Sequence, residues 1–251
     1  MLIKITKNAQ DNKFTYQLNK FKKVIFPEVK MGNISIYDLL LRKNEVELIC
    51  FISTLRNKYK NIYDLGANVG IHSAFYAQFF KEVYAYEPYN YHLKKLRQLK
   101  KINKLKNLKI IGKAVAEISG IKIFYIMLRN TTANNLSDAK RTRYGKIIKT
   151  KVMCESINKI NKKADLIKID VEGYEGKLIS AVNFLKDPKK NADFIIEVHN
   201  KYNSKKIYNK FQKNNFYEIF LINNKKLKKI NSFSQFPKKS SGGHLFFKKK
   251  I

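Results

Sequence analysis

Three short segments carry acids at the ends of apolar runs, and their spacing suggests a chemistry. In Tyr63-Asp64-Leu65-Gly66-Ala67-Asn68-Val69-Gly70 a short apolar strand (Ile62, Tyr63) ends in an acid. The chain then turns through two glycines into the amphipathic run from Ile71 to Phe80. Glycine has no Cβ, so Gly66 and Gly70 let backbone approach a ligand and let a helix pack closely on a strand. The spacing is Gly-x-x-x-Gly with an acid two residues ahead, not the Gly-x-Gly-x-x-Gly of pyrophosphate-binding loops. It points away from a dinucleotide and toward a nucleoside without phosphate, S-adenosyl-L-methionine above all. A tight strand-to-helix turn that binds nothing is the plain alternative.

A second acid supports the nucleoside. Val83-Tyr84-Ala85-Tyr86-Glu87-Pro88 reads as a buried strand stopped by Pro88, with Glu87 placed 21 residues after Gly66. Doubly wound nucleoside-binding folds put an acid about 20 residues on, where it accepts hydrogen bonds from ribose hydroxyls. The expected fourth strand, Ala164-Asp165-Leu166-Ile167-Lys168-Ile169-Asp170, runs into Val171-Glu172-Gly173-Tyr174-Glu175-Gly176, a turn rich in carboxylates. Ile195-Ile196-Glu197-Val198-His199 belongs to the expected fifth strand, with a histidine at its end. Asp64, Glu87, Asp170 and His199 all fall at expected strand C-termini, the edge at which open parallel sheets bind ligands.

With DLGANVG, YEP, the Lys113-Ala114-Val115-Ala116 stretch, KIDVEG followed by Glu175, and IIEVH, the chain resembles the FkbM family of S-adenosylmethionine-dependent methyltransferases. The resemblance covers roughly Lys60 to Asn200, not the first forty-odd residues. Cys154-Glu155-Ser156-Ile157 departs from it, where the family commonly has Thr-Leu-Asp before the fourth strand. It implies a class I, Rossmann-like fold, S-adenosyl-L-methionine as cofactor, and O-methylation of a hydroxyl on a sugar, glycan or small hydroxylated metabolite. It implies a cofactor site of Asp64, Gly66, Ala67, Asn68, Gly70, His72, Glu87, Pro88, Ala114 and Asp170.

An aliphatic hydroxyl is a weak acid and needs a base, or a metal, as the methyl arrives. Asp170, Glu172 and His199 are the catalytic candidates. Asp170 and Glu172 lie two apart, so extended backbone would turn both to one side. They could then hold a divalent cation, or one could act as base beside the other. In the plainer alternative Asp170 touches only the methionine moiety and Glu172 caps the next helix. No metal is assigned; one would fall on Asp170 and Glu172. His199 suits proton abstraction because an ordinary imidazole titrates near ~6.5. His72 is expected to line the cofactor pocket, whereas His92 and His244 have no motif around them.

The elements that position these residues alternate between strand and helix, which predicts an α/β fold with a doubly wound, mostly parallel sheet. Residues 1–42 read as a small antiparallel N-terminal cap and 43–251 as the methyltransferase domain. A helix is expected over Asn44 to Tyr59, one over Asn90 to Asn103, and one over Lys177 to Leu185. Leu108 to Ile111 is the third strand, and Ile121 to Met127 an added strand with Ile147 to Met153 as its return. Tyr217 to Ile222 and His244 to Phe247 should pair antiparallel at one edge. Between the added strands, Arg129 to Lys146 is a polar loop whose Asn130, Asn134 and Asn135 either close over a hydroxylated acceptor or lie on the surface. Gly242-Gly243 reads as a turn.

The 251 residues carry a formal charge of +33. A balance this basic raises nucleic acid or an acidic membrane as partners. Yet only six of the 52 basic residues are arginine, the residue suited to bidentate phosphate recognition. Lysine travels here with Ile, Asn, Tyr and Phe, as coding bias would produce. The expectation is therefore weak, non-specific nucleic-acid contact and a peripheral contact with acidic membrane surface. An RNA 2′-O-methyltransferase, for which Lys168 near Asp170 speaks, is the alternative function, and a non-catalytic basic nucleic-acid-binding protein a further one. No apolar run reaches the roughly 18 residues of a membrane span, and Met1-Leu2-Ile3-Lys4-Ile5 lacks a leader's apolar stretch, so the expected location is cytoplasmic. Cys50 and Cys154 are too few for a disulfide framework, and Cys50 reads as core.

Overall fold

Period-2 burial begins with the first strands. The computed structural model describes residues 3–8, 13–18, 21–40, 42–139, 145–223, 226–236 and 243–250. Strands β1 (Ile3–Asn8), β2 (Lys13–Leu18) and β3 (Val24–Pro27) form an antiparallel sheet. Alternate residues Phe14, Tyr16 and Leu18 of β2 turn inward, and the Tyr16 ring meets Phe75 edge-on at 5.6 Å. A short ribbon, β4 (Lys30–Met31) with β5 (Ile34–Ser35), leads into helices α1 (Ile36–Leu40) and α2 (Lys43–Ser53). The helix expected to reach Tyr59 stops at Ser53, where Thr54 returns a side-chain hydrogen bond to the Phe51 carbonyl.

The chain then winds outward through β6 (Asn61–Leu65), α3 (Ile71–Tyr76), β7 (Glu82–Tyr86), α4 (Asn90–Ile102) and β8 (Leu108–Ile111). It next builds β9 (Ala114–Ala116), β10 (Gly120–Met127), β11 (Asn135–Leu136) and β12 (Ile147–Ser156), which make a separate sheet ordered β11-β10-β12-β9. Helix α5 (Ile157–Asn161) returns it to β13 (Leu166–Ile169), α6 (Glu175–Ala181), β14 (Asp193–Glu197) and α7 (Lys201–Asn214). Strands β15 (Tyr217–Asn223), β16 (Lys226–Lys229) and β17 (His244–Lys249) finish the main sheet.

That sheet is ordered β16-β15-β17-β14-β13-β6-β7-β8, parallel from β14 to β8 and antiparallel beyond. This is the mostly parallel, doubly wound α/β architecture of class I methyltransferases. Ile62, Val83, Leu166 and Ile195 pack into the core on one face, with α3, α4 and the N-terminal strands. Tyr63, Ile167, Ile169, Phe194 and Ile196 pack into the other, with α6 and α7. Both faces being covered explains the near-continuous apolar runs of these strands.

Strands β15 and β17 pair antiparallel as expected, with β17 between β14 and β15, but the outermost strand is the unanticipated β16. All four β16 side chains are exposed, so its sequence shows no apolar face to read. Helix α6 begins at Glu175 and ends at Ala181, not at Leu185, because Val182 turns extended. Met1 and Leu2, residues 140–144 of the polar loop, and Gly242 of the expected turn lie outside the described residues. Among the described residues no helix is long and apolar enough to cross a membrane.

Candidate active site

The order of winding reverses between β6 and β13, and there the glycine turn meets the carboxylate turn. The Asp170 N–H donates to the Leu65 carbonyl at 3.1 Å. Gly66 has φ +85°, and a Cβ there would stand 1.9 Å from the Asp170 carbonyl oxygen, so no other residue fits without moving β13. Gly70, at φ +92°, serves packing instead: its Cβ would meet Leu96 of α4 at 2.1 Å.

Beyond this crossing lies a cavity of about 380 Å³. Gly66, Ala67, Asn68, His72, Glu87, Pro88, Ala114 and Asp170 line it, and so do Glu172 and His199. Asp64 and Gly70 stand behind its wall. The Asp64 carboxylate has no exposed surface; it accepts the Ser73 hydroxyl at 2.6 Å and lies 3.5 Å from Lys168 Nζ. Its part is to hold α3 and Lys168 in place. Glu87 accepts the N–H groups of Asn68 at 3.0 Å and Tyr89 at 2.8 Å, one on each oxygen. A carboxylate has about four acceptor sites, so Glu87 keeps capacity toward the cavity.

On the opposite wall the chain leaves β13 at Asp170 and turns through Glu172 (φ +54°) and Gly173 (φ +99°). The extended backbone expected to align Asp170 with Glu172 is therefore absent; a left-handed turn brings both carboxylates to His199 instead. Glu175, with no exposed surface, holds this turn. Its Oε1 accepts from the N–H of Val171 at 3.2 Å and of Gly173 at 2.9 Å, and it lies 2.8 Å from His199 Nδ1. Its Oε2 accepts from Asn203 Nδ2 at 2.8 Å. With Nδ1 so fixed, His199 Nε2 points at Glu172 Oε2 (3.3 Å), Asp170 Oδ1 (3.6 Å) and Glu197 Oε1 (3.9 Å). Burial works against an imidazolium, but Glu175, Glu172 and Asp170 outweigh it and raise the His199 pKa well above the ordinary value. Burial likewise opposes the Asp170 carboxylate, yet Lys168 at 3.1 Å and His199 hold its pKa well below the usual range. Asp170, Glu175 and His199 offer atoms within 4.8 Å of one another, a spacing that a cation could share.

Several groups at this cavity have no signal in the sequence. Glu45 reaches it from α2, bonds His72 Nε2 at 2.8 Å, and is held at about 2: burial would raise it, and His72 more than offsets that. His92, which no motif singled out, lines the cavity, 3.0 Å from the Thr131 hydroxyl and 3.6 Å from Glu87. His244, on β17, does not line the cavity but is buried behind it, with Nε2 3.5 Å from the lining residue Glu197. Of the polar loop, Asn130, Asn134 and Asn135 line the cavity, and Asn135 is 1% exposed. The outcome is an inversion of charge. In a chain of +33, the described residues lining the cavity include Glu45, Glu87, Asp170, Glu172 and Glu197 against Arg42, Lys168 and the His199 imidazole, whose raised pKa favours its charged form.

No curated protein matches the chain in sequence. Among solved structures, precorrin-6y C5,15-methyltransferase of Geobacter metallireducens aligns over 82% of this chain and 88% of its own, at 10% identity and a TM-score of 0.47. TYW2 of M. jannaschii in complex with AdoMet aligns over 97% and 89%, at 13% identity and a TM-score of 0.46. An rRNA methylase of Streptococcus thermophilus aligns over 84% and 98%, at 12% identity and a TM-score of 0.44. The methyltransferase FkbM domain matches residues 64–225, more than half the chain and the whole span from the glycine turn past β14. With that match, the chain belongs to the FkbM family of S-adenosylmethionine-dependent methyltransferases.

Proposed function

We propose that the chain transfers the methyl group of S-adenosylmethionine to a hydroxyl of a glycan or small hydroxylated metabolite that carries no phosphate at the reacting end. The observation that carries this is the charge inversion: five carboxylates face the cavity of a strongly basic chain. An acidic cavity favours the cationic cofactor and repels phosphodiesters, which counts against the RNA 2′-O-methyl reading. The lysines that suggested RNA lie elsewhere, apart from Lys168, which is 2% exposed and spent on Asp64 and Asp170.

The cofactor fits the residues present. Glu87 has acceptor capacity for ribose hydroxyls, and Tyr86, Val115, Phe124 and Leu136 supply apolar wall for a purine. Asp170 Oδ1 is buried and has no hydrogen-bond partner among the described residues, so it can take an ammonium group. The bound cofactor supplies a methyl group already activated for displacement. The protein's work is then to place the acceptor oxygen and remove its proton. His199 Nε2 is the proposed proton acceptor once the imidazole has lost its own proton, so turnover should rise with pH through the raised His199 value. Glu175 fixes its other nitrogen, as a carboxylate orients histidine in hydrolase triads. Glu172 and Asp170 stabilise the imidazolium that forms. Asn130, Asn134 and Asn135 offer amides to the acceptor's other hydroxyls. A divalent cation shared by Asp170, Glu175 and His199 is the second route to an activated hydroxyl, favoured by their 4.8 Å spacing.

Residues 1–42 are proposed as a cap on a methyltransferase domain of 43–251. Cys154 is a free, buried thiol, which suits a reducing compartment, and the cytoplasm is the proposed location. The test is incubation with labelled S-adenosylmethionine and separate pools of neutral oligosaccharides, hydroxylated metabolites and RNA, followed by mass spectrometry of the product. Label on a sugar or metabolite oxygen is expected; label on RNA ribose or on nitrogen would overturn the reading. Loss of activity with chelator, restored by Mg²⁺ or Mn²⁺, would select the cation route.

A further inference from the structure

The β10–β12 hairpin breaks the pattern of a half-buried antiparallel sheet. Its inward residues, Phe124, Ile126, Val152 and Cys154, are buried as they should be. Outward residues of such a sheet are ordinarily polar. Here Ile121 is 65% exposed, Met153 51% and Ile123 45%, and Ile118, just ahead of the hairpin, is 66% exposed. Of nine large apolar side chains exposed among the described residues, seven lie between residues 118 and 153. The register sets Ile121 opposite Met153, Ile123 opposite Lys151 and Tyr125 opposite Lys149, so these six share one face. Scattered exposed apolar side chains are ordinary; a contiguous set marks a contact surface.

The lysines on this face say what it contacts. Neither Lys149 nor Lys151 has a carboxylate partner among the described residues, and Lys149 lies over the Tyr125 ring at 5.9 Å. The neighbouring acids are already engaged: Glu117 with Lys122, Asp138 with Lys177, Glu155 with Lys113. A second copy would set these lysines against their own kind, in two chains of +33 each. Nucleic-acid bases stack on aromatic platforms, not on isoleucine and methionine. Aliphatic side chains interleaved with lysine match the headgroup layer of a bilayer bearing anionic lipid. We infer that the outer face of the β10–β12 hairpin docks on anionic membrane, with Ile118, Ile121, Ile123 and Met153 entering the interface and Lys149 and Lys151 meeting the headgroups.

The test is flotation of the full chain with vesicles of phosphatidylcholine alone and of phosphatidylcholine with phosphatidylglycerol, at about 0.1 M salt. Binding to the anionic vesicles only is expected. I121S/M153S and K149E/K151E should each weaken it by about tenfold or more, while K94E/K101E on the exposed face of α4 changes it little. Melting curves establish that each variant folds, and methyl transfer to a soluble acceptor should survive in all of them, which separates this inference from the proposed activity. Absence of binding to anionic vesicles would overturn it. So would an equal loss in K94E/K101E, which would mean attraction to net charge alone. A dimer in sedimentation that dissociates in I121S/M153S, without vesicle binding, would assign the face to a second copy instead.

Discussion

Replacing Glu175 by glutamine tests the arrangement around His199 most directly. The carboxylate has no exposed surface and meets four donors: the N–H of Val171 and Gly173, His199 Nδ1 and Asn203 Nδ2. In Glu175→Gln the amide oxygen can keep the three partners of Oε1. Each of these bonds then falls from charge-assisted to neutral, a loss of about 1 kcal/mol apiece. The amide nitrogen faces Asn203 Nδ2, donor against donor, and orphaning that group costs roughly 1–3 kcal/mol more. The sum is roughly 4–6 kcal/mol. For a chain of this size about 2–4 °C of Tm goes with each kcal/mol, so Tm should fall by roughly 8–24 °C. The substitution also removes the strongest of the charges that raise His199 against burial. A raised imidazole contributes its full stability below the unfolded value of ~6.5 and loses it as pH climbs through the folded value. The parent chain's stability from this group should therefore decline from about pH 6.5 upward, and the variant's decline should be shallower. Scanning calorimetry between about pH 6 and 9, with NMR titration of the His199 ring, reads both effects. A Tm within about 2 °C of the parent, together with an unmoved His199 titration, would refute the reasoning.

Four further outcomes follow from the same geometry. Gly66→Ala would push a Cβ into the Asp170 carbonyl at 1.9 Å on a left-handed residue, so calorimetry should find S-adenosylmethionine binding lost and Tm lowered. Glu87→Gln, which keeps the shape but not the charge facing the cavity, should weaken cofactor affinity by about tenfold or more, from ~1.5–3 kcal/mol per charge-assisted bond; unchanged affinity would remove Glu87 from the ribose. Asp170→Asn should cut turnover by about 10²-fold or more with a smaller loss of cofactor affinity, and steady-state kinetics at saturating cofactor separates the two. RNA binding should be weak, indifferent to sequence and gone by about 0.2 M salt, because it rests on counterion release alone; filter binding that persists there with sequence preference would restore the RNA reading.

What the sequence determined by itself is what local chemistry specifies. Strand periodicity, the Gly66 turn, and acids placed after apolar runs are readable because turn residues and burial patterns act over a few positions. Hence β6, β7, β13 and β14 fall within a residue or two of expectation, and Gly66, Glu87, Asp170, Glu172 and His199 all reach one cavity. Asp64 shows the limit: its place in the motif is legible, but the direction of its carboxylate depends on Ser73 and Lys168, which only packing brings to it. Glu45, His92 and His244 come from α2, α4 and β17, elements distant in sequence that the winding order folds around the switch between β6 and β13. The left-handed backbone of Glu172 likewise follows from Glu175 gathering the N–H groups of the turn, not from any preference of glutamate. Net charge was the least reliable guide, since composition counts lysines and carboxylates without placing them. Tertiary structure sorted them, directing most lysines to solvent and five of the 19 acids to the cavity, because a carboxylate can be buried only where hydrogen-bond donors and cations converge to hold it.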